Sequence, residues 1–336
     1  LSFVGSVGGF ERPLIQESQL SFDFHDEVQA GPLHGVHPLQ IIRSLFLHGV
    51  GLVQALVLMF RRKPQAVLLT GGWVGLPVAL AAWLSRIPCV IFVPDIEPAL
   101  SIKVLRRFAR LVLLTVAESK SYFPGNTTQV TGYPLRRQMA AATRAAASAH
   151  FRLDPNRKTL LVFGGSRGAR AINEAVVKIA PEVLAAGIQV IHVTGTLDWE
   201  VLEPQFKQLT QAEQYHAFPY LHHEMGLAMA AADLVVSRAG ASVLGEFPVF
   251  GLVSILIPYP HAWRYQKVNA DYLASRGAAF HLAEADMTAQ LLPTIMNLLG
   301  DVSRLETMRS ASRELSCPDA ADQAAAVILQ VAEGRA

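Results

Sequence analysis

Short apolar runs alternate with longer stretches of helical periodicity along almost the whole chain. In the first half, "AVLLT" (66–70) leads into "GGWVGLPVALAAWLSR", then "CVIFV" (89–93), "SIKVLRRFARL" and "LVLLT" (111–115). The second half repeats the rhythm with "TLLVF" (159–163), "IQVIHVTG" (188–195), "LVVSRAG" (234–240) and "SILIPYP" (254–260). Unbroken β-branched runs suit strands buried on both faces, and the helical stretches between them suit βαβ crossovers, so the sheets should be parallel. Between the halves, residues 134–158 are rich in Ala and Arg and carry no strand signal. The pattern predicts an α/β fold made twice over, hinged just before that segment. Ligands would bind beyond the carboxyl ends of the strands.

One apolar stretch breaks the rhythm. Residues 37–60, "HPLQIIRSLFLHGVGLVQALVLMF", approach the length of a membrane span but are interrupted by Arg43, His48 and Gln54 and followed at once by "RRK" (61–63). Between residues 31 and 112 the bases are Arg43, Arg61, Arg62, Lys63, Arg86, Lys103, Arg106, Arg107 and Arg110, against only Asp95 and Glu97. This excess predicts a partly buried helix with one exposed rim, docking peripherally on an anionic membrane surface. The alternative is an ordinary core helix with solvated arginines. The chain as a whole is nearly neutral, at +2, which does not call for a nucleic-acid partner. Cys89 and Cys317 form neither a C-x-x-C pair nor a disulfide framework, and a reducing cytoplasm suits them. The sequence opens on Leu1 with no initiator Met and no signal pattern, so the expectation is that further residues lie upstream.

Candidate chemistry sits at the ends of the strands. "FGGSRGAR" (163–170) follows a strand and opens a helix. Small residues there let backbone N–H groups approach an anion where the helix dipole also favours it. Ser166 can add a hydroxyl, and Arg167 or Arg170 a charge. A plain strand-to-helix turn reads the same way, since the spacing is neither a Walker pattern nor a full G-x-G-x-x-G. "VVSRAGASVLGE" (235–246) repeats the device, with Glu246 about one helical turn in. That carboxylate either complements the dipole or accepts the two hydroxyls of a ribose. In "PYPHAWRYQKVNA" (258–270), His261, Tyr265, Gln266 and Asn269 cluster at another helix start. "TGYPLRR" (131–137) places Arg136 and Arg137 at the hinge, within reach of a phosphate held by the second domain.

Taken in order, "VTGYPLRR", "LLVFGGSRGARAINEAV", "HVTGTLDWE", "AAADLVVSRAGASVLGE" and "SILIPYPH…QKVNA" resemble the MurG family. That family comprises the UDP-N-acetylglucosamine:undecaprenyl-pyrophosphoryl-MurNAc-pentapeptide N-acetylglucosamine transferases. The resemblance runs from about residue 2 to about residue 330. It implies a GT-B fold, two Rossmann-like parallel-sheet domains facing across a cleft. Residues 1–133 would form the acceptor- and membrane-facing domain and 134–317 the UDP-sugar domain. A last helix, about 318–336, would pack back on the first domain. It implies inverting transfer from UDP-GlcNAc to a polyprenyl-pyrophosphate-linked acceptor on the cytoplasmic face of the membrane, with no cofactor and no metal.

Residue by residue, the resemblance assigns Gly165 and Ser166, with Ala241 and Ser242 at the second turn, to the donor. Arg136 would reach the diphosphate, Glu246 would take the ribose, and Leu221 and Met225 would line the uracil pocket. Tyr265 and Gln266 would face the sugar hydroxyls.

Two departures are plain. The family's first strand and "GGTGGH" turn would lie upstream of Leu1, and the loss of that strand would leave a central gap in the sheet. Where the family has "HEQN" this chain reads "FVPD", so Asp95 stands at the Asn position and is the one candidate base, or else a turn cap. Three alternatives stay open: another acceptor, a UDP-GlcNAc epimerase, or a non-catalytic UDP-sugar-binding paralogue.

Overall fold

The computed structural model describes residues 1–9, 11, 15, 20–165, 168–260 and 264–335. The chain divides into two compact units. The first comprises Leu1–Pro94, Pro98–Thr131 and the chain from Asp322 on. The second comprises Asp95–Glu97 and Gly132–Ala321.

In the first unit, β1 (Ser2–Ser6) and β2 (Phe24–Val28) form a parallel pair. Helix α1 (Pro38–Arg62) follows, then β3 (Val67–Leu69), α2 (Gly75–Leu84), β4 (Cys89–Val93), α3 (Leu100–Leu105), β5 (Ala109–Leu114) and β6 (Thr128–Val130). Strands β3 to β6 pair in sequence order, all parallel. Among the described residues the two ladders are separate, so β1–β2 and β3 are not hydrogen-bonded to one another. The core joins Val28, Ile91, Val93, Val112 and Leu114 to Ala55 and Met59 of α1 and Val78, Ala79 and Ala82 of α2. On the other side of the sheet, Val90, Leu111 and Leu113 bury against Ala324, Val327 and Val331 of the last helix (Ala320–Ala332).

Helix α1 is built opposite to an ordinary amphipathic helix. His37 caps its start with Pro38 in the first turn, and Lys63 ends it in a left-handed conformation. Its inward face is Ser44, His48, Gly51, Ala55 and Met59. Two of the polar residues that interrupt the apolar run, His48 and Gln54, hold the helix, together with Arg62 at its end. His48 Nε2–H donates to the Gly31 carbonyl at 2.9 Å, and the Gln29 N–H donates to Gln54 Oε1 at 2.8 Å. Arg62 forks onto Asp26 at 3.1 and 3.2 Å. The outward face carries Leu39, Ile42, Phe46, Val53, Val57 and Phe60, and Phe60 is 80% exposed. The sequence reading set this stretch aside as too interrupted to span a membrane. As a continuous 25-residue helix with mean hydropathy 1.8 it is long and apolar enough to do so by those measures.

The second unit is one six-stranded parallel sheet in the order β12-β11-β10-β7-β8-β9. Along the chain come α4 (Arg137–Ala140), α5 (Arg144–Phe151), β7 (Thr159–Phe163), α6 (Arg170–Ala185), β8 (Gln189–Val193), α7 (Trp199–Phe206) and β9 (Tyr215–Phe218). Then follow α8 (Met225–Ala231), β10 (Leu234–Ser237), α9 (Val243–Phe250), β11 (Val253–Leu256), α10 (Tyr265–Ser275) and β12 (Ala279–His281). Helices α11 (Met287–Gly300), α12 (Val302–Glu314) and α13 (Ala320–Ala332) close the chain. Strands β7, β8, β10 and β11 are buried along nearly their whole length, as their unbroken apolar runs require. At the amino end of β10, buried Asp233 collects the Thr159 N–H at 2.9 Å, Arg144 at 2.9 Å and Arg309 at 3.4 Å. Burial pushes this carboxyl up, but the Arg144 and Thr159 bonds prevail and hold it below the usual carboxylate range.

Candidate functional site

The strand order fixes where a ligand can sit. From β7 the chain moves to one side through β8 and β9, then returns to β10 on β7's other flank. The direction of winding therefore switches between β7 and β10. In open α/β sheets the loops at that point diverge and leave a crevice at the carboxyl edge. The two glycine-rich turns leave these two neighbouring strands, which pair in register from Leu234↔Leu160 to Ser237↔Phe163.

The turn after β7 is closed by a bond from Gly168 N–H to the Gly165 carbonyl at 3.0 Å. A Cβ on Gly164 would lie under 3.0 Å from the Gly168 carbonyl carbon and from Ala169 N and Cβ, so the loop folds onto its own backbone there. Gly165 has φ +93° and open space where a Cβ would point. Ala169 leads into α6 without any side-chain cap, and no acidic residue occupies the first turn of that helix. Among the described residues no side chain caps its first N–H groups, the arrangement that suits an anion. Ser166, the expected hydroxyl donor, lies outside the described residues, as do Arg167 and His261.

The turn after β10 runs through Arg238, Gly240, Ala241 and Ser242 into α9, again with no side-chain cap. Arg238 is committed elsewhere. It pairs with Glu284 at 2.5 Å, donates to the Ile257 carbonyl at 3.2 Å and lies over the Tyr259 ring. It braces the β10 turn to the end of β11.

Glu246, in the first turns of α9, is partly buried. Burial pushes its carboxyl up, while a bond from Ser242 and the charge of Arg136 pull it down. The backbone of the hinge segment lies close by, because a Cβ on Gly245 would meet the Tyr133 Cβ at 2.5 Å. Tyr133 is pushed up to about 12 by burial, by Glu246 and by Asp95. Arg136, Ser242 and Glu246 are therefore brought together, with Arg136 exposed to solvent. Leu221 is buried after β9, and partly buried Met225 opens α8. Half-buried Tyr265 opens α10, and Gln266 next to it accepts the Tyr259 N–H at 2.8 Å, leaving its amide N–H groups to donate.

Asn269 ties three pieces of this unit. Its Nδ2 donates to Asp95 Oδ1 at 2.8 Å and to the Ala239 carbonyl at 3.1 Å, and its Oδ1 accepts the Ile96 N–H at 3.3 Å. Burial pushes the Asp95 carboxyl up, against the pull of Asn269. Glu97 is also buried and takes the Arg264 guanidinium at 3.1 Å. Sequence reasoning missed a further buried group beside the β7 turn, namely Asn173, His192, Asp198 and Tyr215. A histidine inside the apolar run "VIHV" was its one visible signal.

Comparison with known proteins gives this geometry a lineage. Residues 2–114 match the glycosyltransferase family 28 N-terminal domain, and residues 159–324 match the glycosyltransferase family 28 C-terminal domain. A relative from Roseiflexus sp. (strain RS-1) is 38% identical, covering 96% of this chain and 82% of the relative. It is named a UDP-N-acetylglucosamine--N-acetylmuramyl-(pentapeptide) pyrophosphoryl-undecaprenol N-acetylglucosamine transferase. This chain belongs to the MurG family. Other relatives of the same name reach down to 30% identity over nearly the full chain. The crystal structure of Acinetobacter baumannii MurG shares the fold at TM-score 0.74 and 23% identity, over 98% of this chain and 90% of that one. The GT-B architecture is thereby established for this MurG-family chain. The same fold recurs in the UDP-GlcNAc 2-epimerase of Neisseria meningitidis, at TM-score 0.70 and 12% identity over 98% and 91% of the two chains.

Proposed function

We propose that this chain transfers N-acetylglucosamine, with inversion, from UDP-GlcNAc to a polyprenyl-pyrophosphate-linked MurNAc-pentapeptide acceptor. The observation that carries the reading is the pair of uncapped glycine turns on β7 and β10, the two strands at the winding switch, with Glu246 beside them. The diphosphate sits against Gly165, Ser166 and the start of α6, and Ala241 and Ser242 line the second turn. Arg136 adds a positive charge as the leaving UDP becomes more anionic. Glu246 accepts the ribose hydroxyls, Leu221 and Met225 flank the uracil, and the Gln266 amide with Tyr265 meets the sugar. The acceptor hydroxyl attacks the anomeric carbon from the face opposite UDP, and its proton passes to a carboxylate. Asp95 is the candidate for that role, because burial raises its proton affinity.

The test is UDP release from UDP-GlcNAc with and without lipid-linked MurNAc-pentapeptide. Release that depends on the acceptor supports the transferase. Release without acceptor, with N-acetylmannosamine as the freed sugar, identifies a hydrolysing epimerase. Binding with no turnover identifies a UDP-sugar-binding paralogue.

We also propose that the outward face of α1 rests on the anionic cytoplasmic leaflet. A helix held by its polar residues leaves Phe46 and Phe60 at 72% and 80% exposure, beside Arg61 and Lys63. Each nearby base adds about 1 kcal/mol of attraction to such a surface. The protein should sediment with phosphatidylglycerol vesicles and not with phosphatidylcholine vesicles, and high salt should weaken the binding. Phe46→Asp with Phe60→Asp should abolish it. Equal sedimentation of that double variant would discard this face.

A further inference from the structure

Behind the β7 turn runs a chain of side chains with almost no contact with water. Asn173, in the first turns of α6, and His192, in the middle of β8, are both fully buried. Asn173 Nδ2 donates to the Thr194 carbonyl at 2.8 Å and to Asp198 Oδ2 at 2.9 Å. Both of those atoms only accept, which fixes the amide orientation. Asn173 Oδ1 must then accept from His192 Nε2 at 3.0 Å, so His192 carries its proton on Nε2. Its Nδ1 accepts in turn from the Tyr215 hydroxyl at 2.6 Å. Burial keeps the ring uncharged, pushing its pKa down to about 3. Every polar atom of the amide and the imidazole has a hydrogen-bond partner.

The far end of this chain touches the candidate phosphate turn twice. The Thr194 carbonyl is the atom against which Gly168 packs, with no room for a Cβ and with φ +79°. Asp198, also buried, receives Arg170 Nε at 2.9 Å, and Arg170 is the first residue of α6. We propose that His192, through Asn173, is a positioning residue for the donor diphosphate. It pins the loop after β8 against Gly168 and, through Asp198, holds the Arg170 guanidinium at the mouth of α6. This rests on the UDP-sugar reading of the second unit and adds to it a set of residues that touch no ligand.

The nucleoside end of the site is built from other elements, so the two ends can be probed apart. His192→Phe keeps a ring and removes both nitrogens, whereas His192→Gln keeps one donor and one acceptor. Binding of UDP would be measured by calorimetry and binding of uridine by ligand-observed NMR, on the full chain. In His192→Phe, UDP should bind about tenfold more weakly, the scale of one or two buried hydrogen bonds, with uridine unchanged. His192→Gln should recover most of the UDP affinity. A merely structural histidine would lower both affinities together or neither. Unchanged UDP binding in His192→Phe, equal loss of uridine, or no recovery in His192→Gln overturns the proposal. If His192→Phe does not fold, Tyr215→Phe takes its place, with the same selective loss of UDP expected and the same outcomes overturning the proposal. Wild-type protein that binds neither UDP nor uridine overturns the donor-site reading and this inference with it.

Discussion

Replacing Glu246 with Ala should weaken UDP-GlcNAc binding by roughly a hundredfold while leaving the fold in place. A carboxylate that accepts two ribose hydroxyls makes two charge-assisted bonds, each worth about 1.5–3 kcal/mol, and 1.4 kcal/mol is a factor of ten. Two such bonds at the lower end of that range sum to about 3 kcal/mol, which is the roughly hundredfold loss. Burial pushes this carboxyl up, so it takes on a proton at higher pH than an exposed one. Protonation removes acceptor capacity, and UDP-GlcNAc affinity should therefore fall off early on the acid side in the wild type. The alanine variant should lose that dependence. Calorimetric titration at several pH values measures both effects, and an alanine variant with wild-type affinity would refute the ribose role.

The second large effect is expected at Gly164. A methyl group there meets the backbone of Gly168 and Ala169, which cannot swing aside as the end of a side chain can. Gly164→Ala must open the turn or move the start of α6. Overpacking of this kind costs about 1–3 kcal/mol of stability. The same shift displaces the N–H groups proposed to hold the diphosphate, and the loss of two charge-assisted bonds of about 1.5 kcal/mol each should lower UDP affinity by about two orders of magnitude. Gly165→Ala is the informative control. It has open space and suffers only the strain of its positive φ, so its melting temperature should fall less. Gly164→Ala with wild-type melting and wild-type UDP affinity would remove this turn from the site.

The strands read from sequence are the unbroken apolar runs, most of them buried on both faces, with the edge strand β3 in "AVLLT" as the exception. "CVIFV" and "TLLVF" coincide with β4 and β7 because a buried parallel strand needs an unbroken apolar run. Strands β2, β9 and β12 lie at sheet edges. Their sequences, "FHDEV", "YHAF" and "AFH", are short and partly polar and carry no such run. The glycine turns were legible because their requirements are local: small residues between a strand and a helix. Partners drawn from distant segments were not. Asn269 reaches Asp95 and Arg238 reaches Glu284 only because the strand order brings β11, β10 and residues 95–97 into one neighbourhood. The phosphate role of Arg136 came from its place at the hinge and from the family resemblance, and its neighbourhood with Glu246 came from the packing of Tyr133 on Gly245.

The inward polar grip on α1 has a consequence for how this surface can change. His48, Gln54 and Arg62 anchor the helix to residues 26–31, and Gly51 lets it approach the Gln29 carbonyl closely. The outward residues contribute little to that anchorage. Selection, or an engineer, can therefore rewrite Leu39, Ile42, Phe46, Val53 and Phe60 one by one at little cost in folding stability. Where the molecule spends its time can drift independently of the machinery it carries.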